Sequence, residues 1–102
     1  EFIKGITITA PGFYGPQGRE LRLKPALTGL NKRMDRFTYK NLKITNFEME
    51  CSGIYRLSRM LGHNALTICL IIVNRITGES NNNYHSEMKK LIKRVLDTLT
   101  IQ

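Results

Sequence analysis

Two glutamates, Glu48 and Glu50, flank Met49 in the segment NFEMEC of a chain that is otherwise strongly basic. Side chains two residues apart on a β-strand point to the same side, so the two carboxylates would share one face. An ionised carboxylate accepts hydrogen bonds from hydroxyl groups, and a vicinal diol such as a ribose offers two of them. The motif therefore indicates a site that binds a sugar or, alternatively, a pair of solvent-facing charges at the edge of a sheet. A glycosidase-like pair is disfavoured, because that chemistry needs carboxyls on opposite sides of one bond.

A second set of polar side chains lies in the Gly- and Pro-rich segment at 11–18 and just after it. Gln17 offers one acceptor and two donors in a plane, and Arg19 offers a planar fork of donors. Together they could form hydrogen bonds with the edge of a planar ring that alternates carbonyl and N–H groups, and Phe13 could pack against that ring. The alternatives are loop solvation for the two polar residues and core packing for Phe13 and Met49. A site that binds both the edge of a planar ring and a vicinal diol indicates a nucleoside ligand.

Hydrophobic periodicity predicts an alternation of strands and helices. Such alternation favours an α/β architecture with a mostly parallel sheet, here as a single unit over 1–102. The apolar run ALTICLIIV is typical of a strand that is buried on both faces. The predicted elements are strands at 5–10, 42–50 and 65–73, loops at 11–18 and 78–86, a short helix within 27–37, a helix with Ser52 as N-cap and Gly62 as C-terminal glycine, and a helix along the apolar stripe 88–99.

Each predicted strand is followed by polar residues, and in open α/β sheets ligands bind beyond the carboxyl ends of the strands. The first strand leads into the segment with Gln17 and Arg19, the second ends at Glu48 and Glu50, and the third ends next to Arg75. If the three strands are parallel, all three sets meet at one edge of the sheet. For Arg75 the alternative is a surface residue at the end of a strand.

The net charge of +8, from 16 Lys and Arg against 8 Asp and Glu, raises the question of nucleic-acid binding. The basic residues are spread along the chain, and no known nucleic-acid-binding signature is present, so we expect no nucleic-acid partner. No apolar run nears the ~18 residues that a membrane span needs, so we expect no membrane partner either. Cys51 and Cys69 form no metal-ligand spacing with the histidines and are predicted to be reduced, buried thiols in a cytoplasmic protein.

Three motifs together resemble the uridine phosphorylase branch of the nucleoside phosphorylase family, in the form found in Bacteroides-type bacteria. The motifs are FYGPQGR at 13–19, TNFEMECSGIYRLSRMLGH at 45–63 and IIVNR at 71–75. The resemblance covers nearly the whole chain. It implies the C-terminal part of an α/β sandwich with a mixed central sheet flanked by helices. The family's N-terminal phosphate-binding loop has no match in 1–102, so that part is expected to be absent from this chain.

The resemblance implies a reaction and residue roles. The reaction is the reversible phosphorolysis of uridine to uracil and ribose 1-phosphate, with inorganic phosphate as co-substrate and no cofactor or metal ion. The implied roles are uracil binding by Gln17 and Arg19, an aromatic pocket wall at Phe13, ribose binding by Glu50 with Met49 against the sugar and Glu48 beside them, and support of the leaving uracil oxygen by Arg75.

A pyrimidine base is implied because purine-specific relatives typically have an aspartate after the third strand, where this sequence reads Val73-Asn74-Arg75. The family borrows active-site residues from a neighbouring subunit, so a dimer-based homo-oligomer is implied for a longer parent enzyme. The 102-residue chain alone is expected to be inactive. A nucleoside- or base-binding remnant without catalysis is the alternative function.

Overall fold

A computed structural model describes residues 2–101 of the chain. The chain forms two compact units, Glu1–Thr67 and Ile68–Gln102. Within the described residues, the first unit holds three strands and two α-helices, and the second unit holds one α-helix. No helix of that stretch is both long enough and apolar enough to cross a lipid bilayer.

The sheet of the first unit contains β1 (Ile6–Thr9), β2 (Thr38–Tyr39) and β3 (Leu42–Glu48) in the order β1-β3-β2. β1 and β3 run parallel, and β2 pairs antiparallel with β3. The predicted strands at 5–10 and 42–50 are confirmed over Ile6–Thr9 and Leu42–Glu48, together with an α/β class and a mixed sheet. Glu50 lies beyond the end of β3, so the prediction that Glu48 and Glu50 share one face of a strand is wrong.

β2 was not predicted from the sequence, because two residues are too short to show a periodicity. It forms a hairpin with β3 through Lys40 and Asn41, whose φ angles are 47° and 64°. Positive φ at both central residues is the signature of a type I′ turn, whose twist matches that of the flanking strands. Asn tolerates this conformation well, whereas Lys does so rarely.

The pairing of β1 with β3 contains a bulge. Ile6 pairs with Ile44, but Thr7 pairs with Asn46, so Thr45 is an extra residue on β3. Such an insertion interrupts the alternation of side chains along the strand. Gly5 accommodates the bulge, because a Cβ at that position would collide with the Thr45 side chain. The close approach of the two strands at this point therefore requires glycine.

Helix α1 (Leu30–Arg36) confirms the short helix that the sequence predicts within 27–37. Helix α2 (Cys51–Met60) confirms the next predicted helix, and Gly62 ends it in the left-handed conformation, with a φ of 73°. The His63 N–H donates to Ser58 O at 2.8 Å and the Gly62 N–H to Arg59 O at 3.3 Å, which is the pairing of a Schellman motif.

The prediction of Ser52 as the N-cap of α2 is wrong. The helix begins at Cys51, and Ser52 lies within its first turn. The preceding residue, Glu50, makes no capping bond with its own side chain. The first-turn N–H groups are instead bound by Glu48 and Thr9, which lie on the two parallel strands.

The predicted strand at 65–73 is also wrong. These nine residues are all described by the structure and lie outside any strand, and Val73 makes an isolated antiparallel bridge with Ser80. A strand exists only where a neighbour supplies hydrogen-bond partners, and within the described residues no strand runs beside this segment. Cys69, which the sequence predicts to be buried, is consequently exposed, whereas Cys51 is buried as predicted.

Helix α3 (Tyr84–Thr100) confirms the last predicted helix and begins inside the predicted loop 78–86. Lys90 and Lys93 form exposed ion pairs with Glu87 at 2.9 Å and with Asp97 at 2.6 Å. Pairs of this exposure contribute little to stability. The apolar stripe of α3 remains substantially open, with Ile92, Leu96 and Leu99 all more than half exposed.

Candidate functional site

Parallel pairing of β1 and β3 brings the residues that follow each strand to the same edge of the sheet. A backbone hydrogen bond of 2.8 Å from Ala10 N to Glu48 O continues the pairing to that edge. The segment after β1 carries Phe13, Gln17 and Arg19, and the turn after β3 carries Met49 and Glu50. The parallel order of the first two predicted strands, on which the predicted convergence of their polar residues depends, is therefore confirmed.

The segment after β1 is shaped by a 3-10 turn at Gly15–Gln17, followed by Gly18 in the left-handed conformation with a φ of 73°. The Gly18 and Arg19 N–H groups donate to Gly15 O at 2.9 Å and Tyr14 O at 3.0 Å. These bonds turn the chain tightly and fix the backbone on both sides of Gln17. Gln17 is only 3% exposed, so the residue is enclosed by its surroundings.

Helix α1 supports this turn from one side. A Cβ at Gly18 would lie 2.7 Å from Asn31 Oδ1, so glycine allows the turn to pack closely against α1. The Asn31 Oδ1 atom is buried and is without a hydrogen-bond partner among the described residues.

Arg19 is stacked on Phe13. Its guanidinium carbon lies 3.5 Å from the centroid of the Phe13 ring, and its Nη1 donates a 2.7 Å hydrogen bond to the Phe13 carbonyl. The Phe13 ring in turn meets Tyr14 edge to face, at 5.3 Å between centroids. Cation–π stacking and a backbone bond together restrict the rotation of the guanidinium. Phe13 remains half exposed, so the pair forms an accessible platform that presents donors and an aromatic ring.

Glu48 is engaged within the protein. Its Oε1 accepts the hydroxyl of Thr9, and its Oε2 accepts the N–H groups of Glu50 and Cys51, each at 2.6 Å. Partial burial raises the pKa of Glu48, but hydrogen bonds from Thr9, Cys51 and Glu50 outweigh that effect and lower the pKa from 4.5 to about 2. Glu48 is therefore ionised throughout the physiological range and is committed to the turn before α2.

Glu50 and Met49 are the exposed members of the acidic motif. The Glu50 carboxylate accepts the Met49 N–H at 3.2 Å through Oε2, and both residues are exposed. This single longer bond leaves the carboxylate with most of its acceptor capacity. The two glutamates thus have different environments, which the sequence pattern did not distinguish.

Arg75 lies in the second unit, within a turn that is organised by Asn74. The Asn74 Oδ1 accepts the N–H groups of Ile76 at 2.9 Å and Thr77 at 3.2 Å, and Asn74 O accepts Gly78 N–H at 2.8 Å. Arg75 is half-buried in this turn. Because 65–73 forms no strand, Arg75 follows an irregular segment and not the end of a sheet strand.

Thr9 is a residue of the candidate site that the sequence does not reveal. It was one of two threonines in a β-branched strand, and nothing in its local pattern marks it. Its hydroxyl bonds Glu48 and Ser52, which lie 39 and 43 residues further along the chain. Among the described residues, no three His, Cys, Asp or Glu side chains are grouped so that they could hold a metal ion.

These features define an α/β protein with a mixed sheet and polar residues at the carboxyl edge of its parallel strands. The family model described as Phosphorylase superfamily matches residues 1–100, so the chain belongs to the phosphorylase superfamily. A uridine phosphorylase of Thermococcus kodakarensis is 36% identical over 78 residues, which cover 74% of this chain and 26% of that protein. The chain thus spans about a quarter of the length of this relative. No solved structure matches the chain.

Proposed function

We propose that this chain forms the base- and ribose-binding part of an enzyme that carries out the reversible phosphorolysis of uridine. The products would be uracil and ribose 1-phosphate, with inorganic phosphate as co-substrate and no cofactor. The observation that carries the proposal is the parallel pairing of β1 and β3, because it aligns the loop of Arg19 with the turn of Glu50 at one sheet edge. The name of the relative, uridine phosphorylase, supports the choice of substrate.

In this proposal Arg19 and Gln17 bind the edge of the uracil ring, for which Gln17, only 3% exposed in the chain without ligand, would have to become accessible. The edge alternates carbonyl acceptors with an N–H donor, and the planar donor fork of Arg19 and the amide of Gln17 are complementary to it. Phe13 holds the guanidinium at 3.5 Å from its ring and forms the aromatic wall of the pocket. Restricting the fork before binding lowers the entropic cost of ordering it in the complex.

Glu50 is the proposed ribose ligand. Its exposed carboxylate can exchange the 3.2 Å bond from the Met49 N–H for bonds from the sugar hydroxyls. Met49, 42% exposed, would pack against the sugar, with Glu48 beside them. Charge-assisted bonds from hydroxyl to carboxylate are short and about twice as strong as neutral ones, so they can fix the orientation of the ribose.

Catalysis would rest on positioning and charge stabilisation. Cleavage of the glycosidic bond passes through an oxocarbenium-like transition state, in which negative charge develops on the departing uracil. We assign the stabilisation of the leaving uracil oxygen to Arg75. No residue of this chain is assigned to phosphate, and the whole enzyme is proposed to be a cytoplasmic, dimer-based homo-oligomer that acts in pyrimidine salvage.

Calorimetry with uracil and with uridine, in the absence of phosphate, tests the binding half of the proposal. We expect uridine to bind more tightly than uracil, and Glu50→Gln to reduce uridine affinity to that of uracil. Asp35→Asn, an exposed change on α1, is the matched control and should leave both affinities unchanged. Equal affinities of the unmodified chain for uridine and uracil would contradict a ribose site at Glu50.

Phosphate-dependent release of uracil tests the chemical half. We expect the whole protein to release uracil from uridine only when phosphate is present, and the 102-residue chain alone to release little or none. Binding of uridine by the whole protein without any such release would favour the second candidate, a nucleoside-binding protein without catalysis.

A further inference from the structure

Three consecutive backbone N–H groups at the start of α2 are bound by two side chains from the sheet. Glu48 accepts the N–H groups of Glu50 and Cys51, each at 2.6 Å. Thr9 accepts the N–H of Ser52 at 3.0 Å through its hydroxyl oxygen. Helix starts leave such groups without intrahelical partners, and a side chain of the N-cap residue commonly binds them. Here two side chains of the sheet take the place of the N-cap side chain of Glu50, which makes no capping bond.

Thr9 and Glu48 form one unit. They are register partners on β1 and β3, and the Thr9 hydroxyl donates its proton to Glu48 Oε1 while it accepts from Ser52. The hydroxyl therefore links β1, β3 and α2 through a single oxygen atom. We call this pair and the three N–H groups that it binds the Thr9–Glu48 clamp.

The clamp holds the backbone around Glu50, the residue proposed to bind the ribose. Glu50 lies between Glu48 and Cys51, and its own N–H is one of the three bound groups. The carboxylate of Glu50 is attached to a backbone that is fixed on both sides, although the side chain itself is exposed. A short turn without the clamp would have more freedom and would hold the carboxylate in place less well.

We propose that Thr9 is a positioning residue for sugar recognition, and that Glu48 acts with it through Glu50 instead of binding the ribose itself. This inference rests on the proposed function, since it takes Glu50 to be the ribose ligand. It assigns a role to Thr9, and it separates the two glutamates into one that builds the turn and one that contacts the ligand.

Calorimetry of Thr9→Val and Thr9→Ser with uracil and uridine tests the proposal. Valine keeps the shape of threonine but removes the hydroxyl, and serine keeps the hydroxyl. We expect Thr9→Val to weaken uridine binding about tenfold, the size associated with losing one hydrogen bond to a charged group, while uracil affinity changes less than about twofold. Thr9→Ser should restore the preference for uridine. Equal weakening of both ligands by Thr9→Val, or no change in either, would overturn the proposal.

Amide hydrogen exchange separates failure of this inference from failure of the proposed function. If the unmodified chain binds neither ligand, the proposed function fails for this chain and the sugar role of the clamp fails with it. The clamp is then judged by the Ser52 N–H, whose protection should fall in Thr9→Val and persist in Thr9→Ser. Unchanged protection in Thr9→Val would overturn the clamp as well. Glu48→Gln, followed at the Cys51 N–H, replaces Thr9→Val if that variant does not fold.

Discussion

At the scale of single residues, the two carboxylates of one short motif are distinguished by their hydrogen bonds and not by their chemistry. Glu48 accepts three strong donors and has a pKa of about 2, whereas Glu50 accepts one N–H at 3.2 Å and is exposed. The contacts of Arg19 likewise distinguish it from other basic residues. Arg19 is stacked on a ring and bonded to a carbonyl, which is a geometry that a lysine cannot reproduce.

Arg19→Lys should therefore weaken uracil binding while the fold is retained. We expect a loss of about tenfold, because a lysine keeps the charge but loses the planar donor fork and its stacking. Calorimetry with uracil measures the effect. The control is Arg22→Lys, an exposed position in the same loop region. Undiminished binding in Arg19→Lys would exclude the arginine from base recognition.

The low pKa of Glu48 predicts a specific dependence of stability on pH. The pKa is about 2 in the folded chain and about 4.5 when unfolded, so the folded state is favoured by this group above pH 4.5. That contribution is lost as the pH falls from 4.5 towards 2. Urea unfolding of the unmodified chain and of Glu48→Gln should show a difference in midpoint that shrinks over this range. A difference that stays constant from pH 5 to pH 2 would contradict the assignment.

At the scale of elements, the bulge in β3 decides which residues meet across the sheet. Thr45 adds one residue between Ile44 and Asn46, and from there Thr7 pairs with Asn46 and Thr9 with Glu48. The Thr7 hydroxyl donates to Asn46 Oδ1 at 2.6 Å, just as the Thr9 hydroxyl donates to Glu48 Oε1. Each threonine of β1 therefore bonds the side chain of its register partner on β3. Without the bulge, the register would shift by one residue and Thr9 would no longer oppose Glu48.

Gly5→Ala should destabilise the sheet at the bulge. An alanine Cβ would collide with Thr45, whose branched side chain has little freedom to move, and overpacking of this kind costs about 1–3 kcal/mol. Gly53→Ala is the control, since nothing lies near a Cβ there and alanine favours a helix by about 1 kcal/mol. Thermal unfolding should therefore shift in opposite directions for the two variants, and a shift in the same direction would refute the close approach.

At the scale of the whole molecule, few apolar residues are sheltered from water. Among the described residues, Ala10 and Cys51 are the buried apolar ones. Many large apolar side chains are exposed, including Leu66 at 83% and Leu99 at 71%. Extensive apolar surface of this kind is typical of a chain that packs against further protein.

The 102-residue chain should therefore self-associate when it is isolated. We expect an apparent mass that rises with concentration in sedimentation experiments, together with binding of a dye that fluoresces on apolar surfaces. Apolar burial between copies would drive the association. A mass that stays at 11.7 kDa over a hundredfold range of about micromolar to submillimolar concentration, without dye binding, would contradict this expectation.

Several elements were predictable because their signals are local. Each signal is contained in a short stretch of the chain: the alternation in 5–10, the apolar stripe at 88–99 and the glycine at position 62. The structure has β1, α3 and the Schellman motif at these places. The apolar run at 65–73 forms no strand, because a strand also depends on a partner that is not encoded locally. Its composition is that of a buried strand, but composition does not supply a neighbour, and no partner strand for it exists within the described residues.

The sequence by itself determined the positions of β1, β3 and the three α-helices to within a few residues, the polar residues that follow β1 and β3, and the motifs that indicate a phosphorylase. Only the tertiary structure decided how those residues are used. The bulge at Thr45, the stacking of Arg19 on Phe13 and the Thr9–Glu48 clamp all depend on spatial contacts. The partners in the clamp are 39 residues apart, and a distance of that kind leaves no periodic trace in the sequence.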